Sequence, residues 1–182
     1  MRIVYEYSHL GGKEILLVRF KEILCEIKEV IAEVKAKREK ISKEKTKNGT
    51  LLYAPKQMND AFAKAFTIRG FKPVKDTYDI VLPGHQEPVV KGAYKQVDFV
   101  KHGVFVEVQF GKYAFMFYDL AKFQYFFNEG KAEVGVEIVP AHALKLQMSS
   151  GVAYGEQLIY DIERLKRHFP AVPVYVVLID AD

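Results

Sequence analysis

The chain has 182 residues, of which 49% are hydrophobic and 27% charged, as in an ordinary globular domain. Its one cysteine, Cys25, excludes an intramolecular disulfide framework and a Cys-rich zinc site, and it fits a reducing cytoplasm. No apolar run approaches the length of a membrane span and the N-terminus lacks the shape of a signal peptide, so we expect a cytoplasmic protein without a membrane partner.

The net charge of +4 is unevenly distributed along the chain. Residues 1–75 carry 17 Lys and Arg against 9 Asp and Glu, whereas residues 76–182 carry 10 against 14. A basic half beside an acidic half suggests an anionic partner bound on one side. A solvated, lysine-rich helix would give the same pattern, so charge alone leaves both interpretations open.

The first fifty residues predict one short strand and one long helix. MRIVYEYSH alternates loosely between apolar and polar residues, which favours a strand. Residues 13–46 carry apolar side chains at helical spacing from Leu16 to Val34, followed by a strongly basic end between Lys35 and Lys47. Asn48-Gly49 is expected to end this helix. Its basic end would either follow a phosphate backbone or remain solvated.

The remaining sequence predicts a sheet flanked by helices. A helix is expected from Pro55, which suits a first turn, to Gly70, which suits a helix end. The segments that follow are a strand at YDIVLP, a loop at Gly84–Pro88, a hairpin at VDFVKHGVFVEVQF, a buried helix at FMFYDLAKFQYFFNEG, a strand at EVGVEIVP, a loop at ALKLQMSSGVAYG, a helix at Tyr154–His168 and an apolar strand at VPVYVVLID. We therefore expect one α/β (α+β) domain over residues 1–182 with a mixed sheet, divided into a basic helical segment at 1–50 and a core at 51–182.

The hairpin brings two acids together. If His102-Gly103 forms a two-residue turn, opposed residues have numbers that sum to 205, which places Asp98 opposite Glu107 and Gln96 opposite Gln109. Opposed Cβ atoms lie about 4.5–5.5 Å apart, so two ionised carboxylates would repel. A shared proton or a shared cation would relieve the repulsion, and hard oxygen ligands suit Mg²⁺. The Gln109 amide could then position an attacking water; the alternative is a solvated polar face.

The register and the helical spacing after it make one weaker prediction each. The register places Val97 with Phe99 on the opposite, apolar face of the hairpin. On the following helix, Asp119 and Lys122 lie one turn apart, which predicts a simple ion pair.

At these residues the sequence resembles a known nuclease family. VDF…VEVQF is similar to the active-site hairpin of the PD-(D/E)XK nuclease superfamily, and most of all to the BglII/BstYI type of restriction endonuclease, which also has Gln where most of the superfamily has Lys. The resemblance is nearest to the BstYI branch, covers most of the chain and is less clear at residues 72–95. Its further segments are MRIVYEYSHLGG, SKEKTKNGTLLYAP, VEVQFGKYAF…YDL, VGVEIVPAHAL…MSSGVAYGEQL and FPAVPVYVVLI.

The resemblance implies a fold, a reaction and an assembly. It implies a restriction-endonuclease-like core and Mg²⁺-dependent hydrolysis of double-stranded DNA that leaves 5′-phosphate and 3′-hydroxyl ends. Asp98 and Glu107 would be metal ligands together with the main-chain carbonyl of Val108, and Gln109 would take the place of the superfamily lysine. A homodimer, with one subunit for each strand, would match a palindromic site.

The resemblance also implies residues that contact DNA. Lys112 would reach a base edge or a phosphate, and the loop that carries Gln147, Ser149 and Ser150 would read base edges in the major groove. Separately from the resemblance, the charge of the basic stretch Lys35–Lys47, which includes Lys37 and Arg38, suggests non-specific contacts with phosphates. A site centred on GATC is plausible because relatives cut such sites. The chain departs from the family at two places: Val97 replaces the Pro before Asp98, and residues 72–97 lack the Asn that helps to hold the attacking water, for which His85 or Gln86 could substitute.

Two other functions remain open. The same site would serve a repair or junction-resolving nuclease that recognises DNA structure instead of sequence. A non-catalytic DNA-binding protein on a decayed nuclease fold would retain the basic residues without metal affinity. The intact set of Asp98, Glu107 and Gln109 argues against decay.

Overall fold

The computed structural model describes residues 1–182, in which a six-stranded mixed sheet lies between two layers of helices and a two-stranded ribbon lies apart from it. The strands are β1 (Arg2–His9), β2 (Arg38–Ile41), β3 (Leu51–Tyr53), β4 (Lys72–Ile80), β5 (Val90–Lys101), β6 (Val104–Val108), β7 (Val134–Pro140) and β8 (Val174–Asp180). The helices are α1 (Gly12–Arg19), α2 (Lys21–Glu33), α3 (Pro55–Ile68), α4 (Tyr113–Asn128), α5 (His142–Leu146) and α6 (Gly155–Leu165).

The main sheet has the strand order β1-β8-β7-β6-β5-β4. The strands β6, β7 and β8 are parallel, while β1, β5 and β4 join the sheet antiparallel. Parallel strands that are covered on both faces are expected to be almost wholly apolar, and VPVYVVLID meets that expectation as β8. The predicted mixed sheet, with its hairpin and flanking helices, is present.

Two hydrophobic cores fill the spaces on either side of the sheet. One core lies under α2 and α3 and contains Phe62 and Phe66, which are fully buried. The other lies under α4 and α6 and contains Leu120 and Phe123, which are also fully buried. Because α4 covers the centre of the sheet, any polar side chain on its inner face must find its partners within the protein.

The long basic helix predicted over residues 13–46 is wrong beyond Glu33. Val34 is already extended, with ψ at 126°, and Arg38–Ile41 pairs instead with Leu51–Tyr53 as the β2–β3 ribbon. A lysine-rich helix would have buried no apolar face, whereas the ribbon buries Leu52 and Tyr53. Residues 1–50 contain two helices, α1 and α2, which are separated at Phe20, and also two strands, of which β1 pairs with β8 inside the main sheet.

The hairpin turn forms as predicted. His102 and Gly103 both have positive φ, at 48° and 84°, as a two-residue turn of this kind requires. The pairs Lys101–Val104, Val100–Phe105 and Phe99–Val106 all follow the expected register. The ladder ends at Phe99–Val106, one step before Asp98 and Glu107.

A β-bulge in β5 explains where the ladder ends. On the β4 side, Lys72 pairs with Val100 and Val74 pairs with Val97, so only Pro73 stands opposite Asp98 and Phe99. The extra residue changes the alternation of the strand. Val97 therefore packs in the core under α4, whereas Phe99 packs against the opposite core. The prediction that the two residues share one face is wrong for this reason.

Candidate active site

The two hairpin carboxylates lie in different environments. Asp98, at the bulge, is exposed, and its Oδ1 accepts a hydrogen bond of 3.4 Å from Gln96 Nε2. Glu107, on β6, is only 4% exposed and forms an ion pair with the ammonium of Lys122 on α4. The facing acids were predicted to share either a proton or a cation, and the positive charge that faces Glu107 in this structure belongs to a lysine.

Lys122 joins Glu107 to a second buried acid. Its Nζ lies 2.7 Å from Oδ1 of Asp119, one turn earlier on α4, and Asp119 is only 2% exposed. Residues three apart on a helix share one face, and here that face points toward the sheet. The ion pair predicted between Asp119 and Lys122 therefore exists, but it is buried and belongs to the same cluster as Glu107.

A third buried acid lies beside Glu107. Glu137 occupies the neighbouring parallel strand β7 in direct register with Glu107. Its side chain is fully buried, and neither carboxyl oxygen has a hydrogen-bond partner. Burial, reinforced by the charges of Asp119 and Glu107, raises the pKa of Glu137 well above its ordinary value. The folded chain therefore favours the protonated, neutral form of the Glu137 carboxyl.

The electrostatics of the cluster depend on the single lysine. Burial and the charge of Asp119 raise the pKa of Glu107 above its ordinary value, although Lys122 opposes the shift. Burial likewise raises the pKa of Asp119, against the effect of Lys122 and Gln109. Burial lowers the pKa of Lys122, but the two carboxylates outweigh it and raise that pKa overall. The pocket therefore has more acidic groups than its one ammonium can neutralise.

Gln109 is held by hydrogen bonds at both ends of its amide. Its Nε2 donates to Oδ2 of Asp119 at 2.9 Å, and its Oε1 accepts a hydrogen bond from the main-chain N–H of Gly111, also at 2.9 Å. A Cβ on Gly111 would lie 2.5 Å from that Oε1, so glycine is needed for this arrangement. The amide orientation is thus fixed by the chain beside the buried carboxylates.

Sequence reasoning missed Lys122, Asp119 and Glu137 as members of this cluster. A signal for the first two was present, since both fall on the helical face that also carries Leu120 and Phe123 of the core. The signal for Glu137 was an acid inside the otherwise apolar strand VGVEIVP. Its adjacency to Glu107 depends on the parallel pairing of β6 and β7, which the spacing of residues does not reveal.

The donor set on the hairpin fits a hard divalent cation. Asp98 and Glu107 supply carboxylate oxygens, and the main-chain carbonyl of Val108 follows directly on β6. The ion pair with Lys122 places a cationic group directly on the Glu107 carboxylate in the folded chain. No group of three or more His, Cys, Asp and Glu side chains is arranged around a common point, so the fit rests on two carboxylates and a carbonyl.

The β2–β3 ribbon lies against the loop predicted to contact DNA. Arg38 Nη2 donates to Oε1 of Gln147, and Lys40 Nζ donates to Oγ of Ser149 at 2.6 Å. The main-chain N–H of Ser150 donates to Glu44 at 3.1 Å. Two groups of residues predicted separately, the basic stretch and the polar loop, are therefore brought together on one surface.

The contacts of the ribbon also involve main-chain groups of the loop. Lys47 Nζ donates to the carbonyls of Leu146 and Met148, at 2.8 and 2.9 Å. The main-chain N–H of Tyr53 donates to the carbonyl of Gln147 at 3.0 Å. The ribbon and residues 146–150, named here the ribbon–loop surface, thus form one connected unit.

The other basic residues predicted to contact DNA lie in separate places. Lys35 is exposed and pairs with Asp182 at 3.3 Å, so it is not part of the ribbon–loop surface. Lys37 is exposed just before β2. Lys112 is exposed directly before the first residue of α4, beside the segment that holds Gln109.

Two suggested substitutes for a missing water-holding residue are wrong. His85 and Gln86 lie in the exposed loop between β4 and β5. Asp98 is eight residues along β5 from Val90, where that loop ends, which corresponds to about 26 Å of extended strand. Neither side chain reaches the hairpin carboxylates across that distance.

Comparisons with known proteins point to one family. The family model described as restriction endonuclease BglII/BglIII matches residues 4–179. The crystal structure of restriction endonuclease BglII complexed with a DNA 16-mer is similar, with a TM-score of 0.75 and 21% identity over 100% of this chain and 79% of that one. Free BglII gives a TM-score of 0.68 and 20% identity over 100% and 81%. None of the curated proteins matches the chain.

These findings bear on the fold and the family in different ways. At such identities the two structures support the fold, and they confirm the predicted restriction-endonuclease-like core. The family model extends over nearly the whole chain and confirms the resemblance drawn from the hairpin. No helix combines the length and apolar character that crossing a bilayer requires.

Proposed function

Because the chain belongs to the BglII/BglIII family of restriction endonucleases, we propose that it hydrolyses double-stranded DNA at a short palindromic sequence with Mg²⁺ as its cofactor. The observation that carries this proposal is the hairpin, where the charge of exposed Asp98 acts on the pKa of buried Glu107 and the amide of Gln109 is fixed by Asp119. Membership of the family makes the chain a restriction endonuclease that acts on DNA. The metal, the sequence and the roles of individual residues are proposals.

The proposed metal ligands are Asp98, Glu107 and the main-chain carbonyl of Val108. When bound, Mg²⁺ would polarise a phosphoryl oxygen and make a bound water more acidic. Glu107 is held in place by its surroundings on β6 and under α4, whereas Asp98 faces solvent, from which the DNA would approach. Glu107 would thus supply a rigidly held ligand, and Asp98 would supply the second carboxylate on the side open to DNA.

Gln109 is proposed to orient the attacking water. Its amide is held by Asp119 and by the main chain at Gly111, which leaves one N–H of Nε2 and one lone pair of Oε1 for a water molecule. A group fixed in this way does not have to reorganise during the reaction, which is the advantage of preorganised polar sites. The reaction would leave a 5′-phosphate and a 3′-hydroxyl.

The ribbon–loop surface is proposed as the DNA-contacting surface. Arg38 and Lys40 would contact phosphates, together with Lys37, while Gln147, Ser149 and Ser150 would reach base edges. Lys112 would contact a base edge or phosphate near the site, and Lys35 would contribute at the periphery. A site centred on GATC is the proposal for sequence, and a homodimer is the proposal for assembly, because a two-fold protein matches a palindrome.

Sequencing the ends produced from a random DNA library with Mg²⁺ tests the proposal most broadly. We expect cuts at one short palindromic sequence, with the stagger and the central bases given directly by the ends. Cleavage confined to flaps or junctions would indicate a repair nuclease. Binding without any cleavage would indicate a non-catalytic DNA-binding protein.

A further inference from the structure

Lys122 forms an ion pair with Glu107, the buried carboxylate that is proposed to bind the metal. Its ammonium contacts Glu107 and lies 2.7 Å from Asp119, and no other Lys, Arg or His forms an ion pair with either acid. The Lys122 side chain is 14% exposed, and those of Glu107 and Asp119 are 5% and 2% exposed. In so dry an environment the attraction between these charges is screened only weakly.

A divalent cation on Glu107 would meet this ammonium. Two cations that share one buried carboxylate repel each other at short range, and the repulsion is strong where water is excluded. Each therefore weakens the binding of the other, and the coupling is reciprocal. Asp119 offers the ammonium a second partner, and Gln109 fixes that carboxylate from its other oxygen.

We propose that Lys122 is a positioning residue that holds Glu107 in the metal-free chain and gives it up to the divalent cation, remaining paired with Asp119. The inference rests on the proposed role of Glu107 as a metal ligand. Lys122 then lowers the affinity for the metal while keeping Glu107 in place without it. Loss of the lysine exposes both effects at once, because Glu107 would be left buried without a partner and Asp119 with the Gln109 amide alone.

Titration of the chain with MgCl₂ alone, without DNA, tests this inference by calorimetry and by thermal unfolding. For Lys122→Met we expect a Kd for Mg²⁺ about tenfold lower than that of the parent, because the competing cation is gone. We also expect a lower Tm without Mg²⁺ and a larger rise in Tm on its addition. Lys122→Arg keeps the charge and should restore the parent affinity.

Two further variants make the result specific. Lys131→Met removes one ammonium that pairs with Asp76 at 2.8 Å, beyond the end of α4, and should leave the Kd for Mg²⁺ unchanged. Lys122→Gln is neutral but retains hydrogen-bond donors for both acids, so it provides the same comparison if Lys122→Met does not fold. In either background, Glu107→Gln should remove the gain in affinity.

Unchanged or weaker Mg²⁺ binding in both Lys122→Met and Lys122→Gln would overturn the inference. Such a result would leave the proposed function intact if the parent still cut DNA and Asp98→Ala did not. Conversely, tighter Mg²⁺ binding by Lys122→Met in a chain that cuts no DNA would support the role of Lys122 and remove the proposed function.

Discussion

Lys122 on α4 forms an ion pair with Glu107 on β6. The charge of the buried hairpin acid is therefore balanced by a lysine on the helix that follows the hairpin in sequence. This relationship explains how a carboxylate only 4% exposed is accommodated in the sheet. It also connects the hairpin to Asp119 and, through Asp119, to Gln109. The site is therefore a network built across the sheet and α4.

Glu137 should make the stability of the protein depend on pH. Its folded-state pKa is raised by burial, so the folded chain retains a proton that the unfolded chain releases. Stability is then lost as pH rises above the ordinary pKa of a glutamate toward the raised folded value. In Glu137→Gln, we expect the unfolding free energy to fall less steeply as pH rises above the ordinary range of a glutamate, by at most about 1.4 kcal/mol per pH unit.

Urea denaturation at several pH values, without divalent cations, measures this slope. Glu107 remains in the variant and also has a raised pKa, so some dependence on pH should persist. Identical slopes for the parent and Glu137→Gln would show that folding does not raise the pKa of Glu137.

Gly111→Ala should disturb Gln109 without unfolding the chain. The new Cβ would lie 2.5 Å from Oε1 of Gln109, and that amide is the end of a flexible side chain which can move aside. We expect the rate of DNA cleavage to fall about 100-fold, as for other small misplacements of a catalytic group, with unfolding free energy changed by less than about 0.5 kcal/mol.

Combination with Gln109→Ala provides the control for Gly111→Ala. If Gly111→Ala acts only through Gln109, it should cause no further loss of cleavage once the amide is absent. Additive losses in the double variant would show that Gly111 affects the site by another route.

Gly135→Ala should destabilise the protein by lifting α4 from the sheet. An added Cβ would lie 2.5 Å from a ring carbon of Phe123, which is fully buried under α4. Overpacking of this kind costs about 1–3 kcal/mol of unfolding free energy. The same substitution in a Phe123→Leu background should cost less, because the smaller side chain leaves room; equal costs would argue against this contact.

Arg38→Ala and Lys40→Ala should each weaken DNA binding in a manner that depends on salt. If each side chain neutralises one phosphate, the slope of log affinity against log salt should decrease by about 1 in each variant. Lys166→Ala, which removes a lysine paired with Glu163 on α6, should leave the slope unchanged. Slopes identical to that of the parent in both ribbon variants would place the phosphate contacts elsewhere.

The hairpin was predictable from the sequence because its information is local. The positive φ of His102 and Gly103 fixes the turn, and the turn fixes the register of the adjacent pairs. The prediction failed at Asp98, where a bulge set by pairing with β4 interrupts the alternation. A bulge depends on a strand more than twenty residues away, so the hairpin sequence alone does not reveal it.

The basic ribbon was not predictable in the same way. Lys and Glu have high intrinsic helix propensity, which favoured a helix through Lys47. The chain instead buries Leu52 and Tyr53 and attaches Arg38 and Lys40 to a loop more than a hundred residues later. Tertiary packing overrides propensity in this segment, and the partners involved are distant in sequence.

The buried cluster of Glu107, Asp119, Lys122 and Glu137 was not predictable from the sequence for a related reason. Asp119 and Lys122 were expected to pair, and they do so at 2.7 Å. Their burial against Glu107 depends on how α4, which connects β6 to β7 in sequence, packs on the face of the sheet. Local spacing predicted the pair, whereas only the fold determines which other acids it meets.

The rate of DNA cleavage with Mg²⁺ by Asp98→Asn, measured beside DNA binding by the same variant, tests the central claim most directly. Asp98 is exposed and makes no ion pair, so its replacement should leave the fold and most of the DNA affinity intact. We predict that Asp98→Asn binds DNA nearly as well as the parent but does not cleave it. Cleavage by Asp98→Asn at the parent rate would contradict the assignment of the metal site to this hairpin.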